Sequence, residues 1–530
     1  MNRFRLQTEA LVIGSGIAGA SAALTLAENG VHVTLLTAGD SLFSGNTRLA
    51  QGGIVYESPE PGDQELLEQD ILSAGHRQNY LHAVRHLAQH GPEVLRETLL
   101  SAYPVPFEKK NGEWARIREG GHSAPRILYC ADHTGRSIME TLAQAIENND
   151  NIRVLTRRTA VDLLSTQHHA GHLDFKFSLD NQCVGAYVHN QALNQVETIL
   201  ADATVLATGG LGQVYLHTTN SRSSIGSGVA MAFRAGARIM HAEYVQFHPT
   251  TLFQRRGKHY RRYLISEALR GEGAKLVNSA GEPFMDRFDP RGDLAPRDVV
   301  TRAIMNELLR TGEDCVYLDA AHFVDCDLTT RFPTICGSCA KIGVDPAREP
   351  IPVVPAAHYF CGGVLVNQRG RTTLDRLYAA GECACSGVHG ANRLASTSLL
   401  EGLLWGVGAA RDIVTSKNYL KPLAKKLTAS IPDWESPGAS PNDDPALIAQ
   451  DWASVRHTMW NYVGVTRSTQ RLNRAFSELR SLFKNIQDFY KRTTLSKPVI
   501  DLFHGCQTAY IVAMAAMRNK QSIGCHHRED

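Results

Sequence analysis

"EALVIGSGIAGASAALTLAENGVHVTLLTA", residues 9–38, opens with an apolar run that ends at Ile13. Gly14-x-Gly16-x-x-Gly19 follows, then an Ala/Leu-rich helical stretch, then the short apolar run "VHVTLL". Strand, glycine turn, helix and strand in this order make a βαβ unit with a dinucleotide fingerprint in its required context. Gly14 permits the tight turn, Gly16 lets a pyrophosphate approach the backbone, and Gly19 lets helix and strand pack closely. The residues between them, Ser15, Ile17 and Ala18, open a helix whose N-terminus faces the phosphates. The acid that usually grips the ribose after the second strand is absent, and Thr37 and Ala38 stand there. That departure weighs against a plain nicotinamide dehydrogenase.

Two later segments have the same character. "ADATVLATGGLGQVY" (201–215) runs an apolar strand into Thr208-Gly209-Gly210. "LDRLYAAGECACSGVHGANRLASTSLLEGLLWG" (374–406) carries a short strand to Glu382, then a small-residue loop into an apolar helix. Nucleotide-facing loops spread so widely predict one α/β Rossmann-type domain, 1–236 with 355–430, interrupted by an α+β capping insertion at 237–354. The stretch "IPDWESPGASPNDDPA" (431–446) has the Pro/Ser/Asp composition of a linker. Residues 447–530 begin with apolar residues at three- and four-residue steps and predict a C-terminal helical domain.

The chain of 530 residues suggests about three domains. Its 43% hydrophobic and 20% charged residues are those of a globular protein. A net charge of +2 gives no field that would point to nucleic acid. No signal peptide is expected in "MNRFRLQTEALVIGSG", and no apolar run of about 18 residues predicts a membrane span. The 11 cysteines, an odd number, read as reduced thiols of a cytoplasmic protein. Cys336 and Cys339 form a C-x-x-C without a second one or a histidine pair, so they read as incidental thiols and no metal is expected.

Beyond the fingerprint, a series of motifs runs in order: "LAQGGI" (49–54), "ATGGLG" (207–212), "QFHPT" (246–250), "SEALRGEGA" (266–274), "APRDVVTRAI" (295–304), "AAHYFCGGV" (356–364), "HGANRLASTSLLEG" (389–402) and "MWNYVGVTRSTQRL" (459–472). Together they resemble the succinate dehydrogenase/fumarate reductase flavoprotein family over nearly the whole chain. Within it the resemblance is greatest to members that oxidise L-aspartate. It implies FAD as hydride acceptor, oxidation of L-aspartate to iminoaspartate, and return of the electrons to dioxygen, giving hydrogen peroxide, or to fumarate. It also implies that iminoaspartate feeds quinolinate and NAD biosynthesis, and it leaves open a transient contact with quinolinate synthase.

A dicarboxylate needs two anion clamps, and His248, His358 and Arg393 are the candidates. Ser266 and Glu267 match the family's threonine–glutamate pair. Glu267 with Arg270 reads equally well as a structural ion pair. Arg297 matches the catalytic arginine, an acid and an electrostatic clamp. On residue chemistry alone it is a helix N-terminal arginine paired with Asp298. In "REGGHS" (118–123), Glu119 matches the acid that meets the substrate ammonium. On the flavin side the resemblance implies Ala38, the run Asn46, Thr47, Arg48, Leu49, Ala50, Gln51, Gly52 and Gly53, then Val161, Glu382, and Ser398 with Leu399 at a helix N-terminus. Ser227 stands where the family has aspartate. Asn46 stands where membrane-bound relatives link FAD to histidine, so non-covalent FAD is expected. The rival readings are the flavoprotein subunit of succinate dehydrogenase or fumarate reductase, and a flavoprotein that only binds nucleotide.

Overall fold

A computed structural model describes residues 4–254, 261–416, 422–436, 438–441 and 444–530. The opening fingerprint folds as strand β1 (Arg5–Ile13), helix α1 (Ile17–Glu28) and strand β2 (Val33–Leu36). Further strands join them: β3 (Ile152–Leu155), β4 (Arg158–Ser165), β5 (Cys183–Asn190) and β6 (Gln195–Leu206). The sheet order is β3-β2-β1-β6-β5-β4, with the short strand Leu377–Ala379 beside the end of β6. All pairings from β3 to β6 are parallel, and β5 and β4 add an antiparallel flank. Central parallel strands are covered on both faces, so they read as unbroken apolar runs. Ala10, Leu11 and Val12 are accordingly fully shielded. β1 ends between β2 and β6, and its carboxyl end opens the crevice where such sheets bind ligands. Gly14 turns the chain there at φ +117°, and a Cβ would lie 2.0 Å from the Ala207 carbonyl oxygen.

The insertion is an antiparallel sheet of β7 (Val245–Leu252), β8 (Lys275–Val277), β9 (Val316–Asp319) and β10 (Ile351–Phe360), in the order β7-β10-β9-β8. Helix α2 (Arg297–Thr311) packs on β7. Both expected junctions fall next to or within paired strands. β10 runs through 354/355 to Phe360, and Ile239–Met240, past 237, still pairs with Gly363–Leu365 on the nucleotide side.

Helix α3 (Thr397–Thr415) lies on α1. The C-terminal helices are α4 (Pro445–Tyr462), α5 (Thr469–Arg492) and α6 (Lys497–Arg518). α6 is long and apolar enough to cross a membrane, yet its apolar window is 78% buried inside the protein, as in a core helix. The stretch expected as a linker is packed in its described part. Tyr187 donates to the Pro432 carbonyl at 2.9 Å, and Arg5 donates to the Ile431 carbonyl at 3.1 Å. Cys336 and Cys339 sit one turn apart on a helix (Pro333–Ala340), and no metal-holding cluster exists among the described residues.

Candidate active site

A continuous cavity of about 1520 Å³ runs from the end of β1 to the cap. Gly14, Ser15, Gly16, Ile17 and Ala18 line one stretch of it, and Ala38, Asn46, Thr47, Leu49, Ala50, Gln51, Gly52 and Gly53 line another. Ser227, Glu382, Ser398 and Leu399 complete the wall. Gly19 lies behind it, where a Cβ would fall 1.9 Å from the Gly14 carbonyl oxygen, so its part is packing. Two expected contacts do not line the cavity. Arg48 is exposed on the outer side of a single turn (Thr47–Leu49). Val161 sits at a strand irregularity between Ala160 and Asp162, and its carbonyl accepts from His504 at 2.9 Å and Arg234 at 3.1 Å. Thr159 and Ala160 face the cavity in its place.

These walls fit a dinucleotide flavin. The Thr208 hydroxyl is buried at the cavity with no hydrogen-bond partner by geometry among the described residues. Helices α1 and α3 both begin at the wall; the Ile17 amide of α1 donates to the Thr47 hydroxyl at 3.0 Å, and α3 starts without a side-chain cap, so the remaining first-turn amides can meet a ligand's negative charge. The Glu382 carboxyl accepts from the Phe360 amide at 3.0 Å and from Asn46 at 3.3 Å. Burial still pushes its pKa up to about 7. Asn46 is itself fixed, because its carbonyl accepts from the Ser221 amide at 2.7 Å.

At the cap end, His248 and His358 face each other with ring centroids 5.6 Å apart. Burial holds both rings well below their ordinary pKa, followed by Arg297 for His248 and by Arg393 for His358, so both are neutral. His248 Nδ1 lies 3.0 Å from the Thr250 carbonyl, and His358 Nδ1 lies 2.8 Å from the Thr219 hydroxyl. Arg393 stacks 4.6 Å above the Tyr359 ring. It donates to Gln246 at 3.1 Å and to the Ser398 hydroxyl at 3.2 Å. Behind Tyr359, Glu401 accepts from the tyrosine hydroxyl at 3.0 Å and lies 2.8 Å from His389 Nε2.

Arg297 does not pair with Asp298, which accepts from Arg302 at 2.9 Å. Its Nε donates to Glu267 at 2.7 Å. Both Nη groups are free of hydrogen bonds to described residues. Glu267 lines the cavity, yet its carboxylate faces Arg297 and, at 3.9 Å, Arg270. It therefore aims Arg297 rather than meeting a second anion. Burial alone would raise its pKa, and the two arginines more than reverse this. The Ser266 hydroxyl faces the cavity and caps the short helix Glu267–Gly271, accepting from the Ala268 amide at 3.3 Å.

Glu119 shares this chamber. Its carboxylate accepts from the Ser396 hydroxyl at 2.6 Å and forms no ion pair with any described residue. A Cβ on Gly52 would lie 2.5 Å from Glu119 Oε1, so a larger residue there would displace the carboxylate. A Cβ on Gly120 would lie 3.1 Å from Glu267 Oε1, which puts the loop beside the Arg297–Glu267 pair. The loop is anchored from below. Arg126, fully buried, donates to Asp63 at 2.9 Å, to Asp70 at 2.6 Å and to His122 Nδ1 at 3.0 Å. The arginine can only donate, so His122 Nε2 carries the proton and donates to the Ala395 carbonyl at 2.9 Å. Gln246, Tyr359 and Ser396 lie inside motifs, but their partners, like those of Arg126, had no sequence signal, since only folding brings them near.

The chain matches an FAD binding domain family over residues 9–399 and a fumarate reductase flavoprotein C-terminal family over 452–530. The L-aspartate oxidase of Yersinia pestis is 43% identical over 99% of this chain and 96% of its own length. That of Pseudomonas aeruginosa is 40% identical over 99% and 95%. Among solved structures, a variant of E. coli quinol fumarate reductase FrdA superposes with a TM-score of 0.86 at 27% identity, covering 99% of this chain and 92% of its own. Mycobacterium smegmatis Sdh1 gives 0.83 at 28% identity, covering 99% and 89%.

Proposed function

This chain belongs to the L-aspartate oxidase family and is an FAD-dependent oxidoreductase that oxidises L-aspartate to iminoaspartate; we propose that the chamber described above does so with the following roles. FAD, bound along the Ser15–Ala18 and Asn46–Gly53 walls, supplies the hydride acceptor. Arg393 and the neutral imidazoles of His358 and His248 hold the two substrate carboxylates, with the Ser266 hydroxyl beside them. Arg393 contributes a planar fork already fixed by Gln246 and Tyr359, so little of its freedom is lost on binding. Arg297 turns its free Nη groups to the reacting carbons, where its charge stabilises the anion built up when fumarate is reduced and its proton completes that reduction. Glu119 takes the substrate ammonium. The observation that carries this reading is that Glu119 is an acid held by a neutral hydroxyl, inside a chamber of cationic groups, with no ion pair to any described residue.

Dioxygen, reduced to hydrogen peroxide, and fumarate, reduced to succinate, are the electron acceptors in this proposal. The product, an unstable imine, passes to quinolinate synthase through a transient contact in the cytoplasm, as the first step toward NAD. The test is a product assay. With L-aspartate, the enzyme should yield peroxide in air and succinate when given fumarate under nitrogen. Arg297→Leu should lower kcat for fumarate reduction by about 10²–10⁴-fold, the usual contribution of a positioned proton donor. Retention of near-normal fumarate reduction by that variant would reduce Arg297 to a structural residue.

A further inference from the structure

A pair of thiols that the aspartate chemistry does not use lies behind Arg393. Gln246 Oε1 accepts from Arg393, and Gln246 Nε2 donates to the Asn392 side-chain carbonyl at 2.6 Å. That same carbonyl accepts from the Cys525 thiol at 3.3 Å. The Cys525 thiol neighbours that of Cys361, two residues beyond Tyr359, with Ala391 between their backbones. Cys361 is 4% exposed and packs with Tyr244, Tyr359 and Ala391. Cys525 is half-buried in the C-terminal segment, with its amide bonded to the Ala391 carbonyl at 2.9 Å. One hydrogen-bonded chain thus runs from the sulfur of half-buried Cys525 through Asn392 and Gln246 to the Arg393 guanidinium.

We propose that Cys525 and Cys361 form an oxidation site for hydrogen peroxide, closing to a disulfide that loosens the Arg393 clamp. The proposed acceptor dioxygen enters only as the source of the peroxide. In the first step the Cys525 sulfur attacks peroxide. An S–O bond forms, the O–O bond breaks, and one water leaves with the thiol proton. In the second step the Cys361 sulfur displaces the oxygen. An S–S bond forms, the S–O bond breaks, and a second water leaves with the Cys361 proton. Two thiols lose two electrons and two protons, and one peroxide becomes two waters. Burial, and then the neighbouring thiol, raise the pKa of Cys361 well above the ordinary value, which leaves the first attack to half-exposed Cys525 and makes Cys361 the resolving thiol. The disulfide removes the S–H that fixes Asn392 and ties the C-terminal segment to the end of β10. A transient disulfide of this kind suits a reducing compartment.

The test treats FAD-loaded enzyme with hydrogen peroxide, alkylates it, and maps its peptides. A Cys361–Cys525 cross-link should appear, and KM for L-aspartate should rise by about tenfold, the effect of loosening a charged hydrogen bond, with both reversed by dithiothreitol. Cys525→Ser, compared with its own untreated sample, should show neither change. Should that variant fail to fold, Cys361→Ala should let peroxide oxidise Cys525 without any cross-link. Free alkylation of both cysteines after peroxide, or a cross-link with unchanged KM, would overturn the proposal. Turnover of aspartate in air should also build the cross-link, and catalase should suppress it. A cross-link from added peroxide but not from turnover would leave the site standing and remove dioxygen as the acceptor.

Discussion

Glu119 can be weighed by its surroundings. A succinate and an aspartate present the same two carboxylates to His248, His358 and Arg393, so these cannot separate them. An ammonium about 4 Å from a carboxylate gains about 4 kcal/mol gross at an effective dielectric of about 20, and desolvation removes much of it. A net of about 1.4 kcal/mol is still tenfold in preference. Succinate would leave Glu119 dry and unpaired, which adds rejection to attraction. Glu119→Gln should therefore raise KM for aspartate about tenfold while fumarate reduction stays largely intact. Equal losses in steady-state assays of both activities would remove Glu119 as the amino-group partner. Glu382 yields a pH prediction. Its folded pKa of about 7 lies above the ordinary 4.5, so the folded protein binds this proton more tightly than the unfolded chain. Its contribution to stability is complete below pH 4.5 and is lost as pH rises through 7. The Tm of the flavin-free protein, measured between those limits, should fall with pH more steeply than that of Glu382→Gln. Parallel profiles would show that the carboxyl does not titrate there.

Between residue and molecule stand the elements that deliver these side chains. The REGGHS loop has little apolar content, and its place is set by Arg126 on the two aspartates of the helix Asp63–Ala74. Removing one partner of a buried ion pair leaves the other desolvated, at a cost of about 3–5 kcal/mol. Arg126→Leu should lose stability of that order in urea unfolding and should raise KM for aspartate, because the loop carries Glu119. A loss below about 1 kcal/mol would mean that the loop is held by something else. This is also where sequence reading stopped. The β1–α1–β2 unit was legible because a change of hydrophobic period, punctuated by glycines, is a local signal. Arg297, His248, His358 and Arg393 were candidates because each sits inside a motif, and all four line the cavity. Ser396 sits inside a motif too, but its pairing with Glu119, 277 residues away, had no local signal, nor had the choice between Val161 and Ala160, which turns on a single strand irregularity. The junction expected at 354/355 falls inside β10, which carries no change of composition there.

For the whole molecule, the fingerprint residues, His248, His358, Arg393 and Glu119 line one chamber. Asn46 is committed to Glu382 and Ser221, and an amide is no nucleophile for a flavin bond. Acid precipitation of the holoenzyme should therefore leave the yellow colour in the supernatant, and a yellow pellet would show a covalent link. The account as a whole stands on substrate selection by the assembled site. The direct measurement is an anaerobic titration of the FAD-loaded enzyme, followed by flavin absorbance. L-Aspartate should bleach the flavin, and succinate at the same concentration should leave it largely oxidised. Bleaching by succinate as readily as by aspartate, or by neither, would contradict the account.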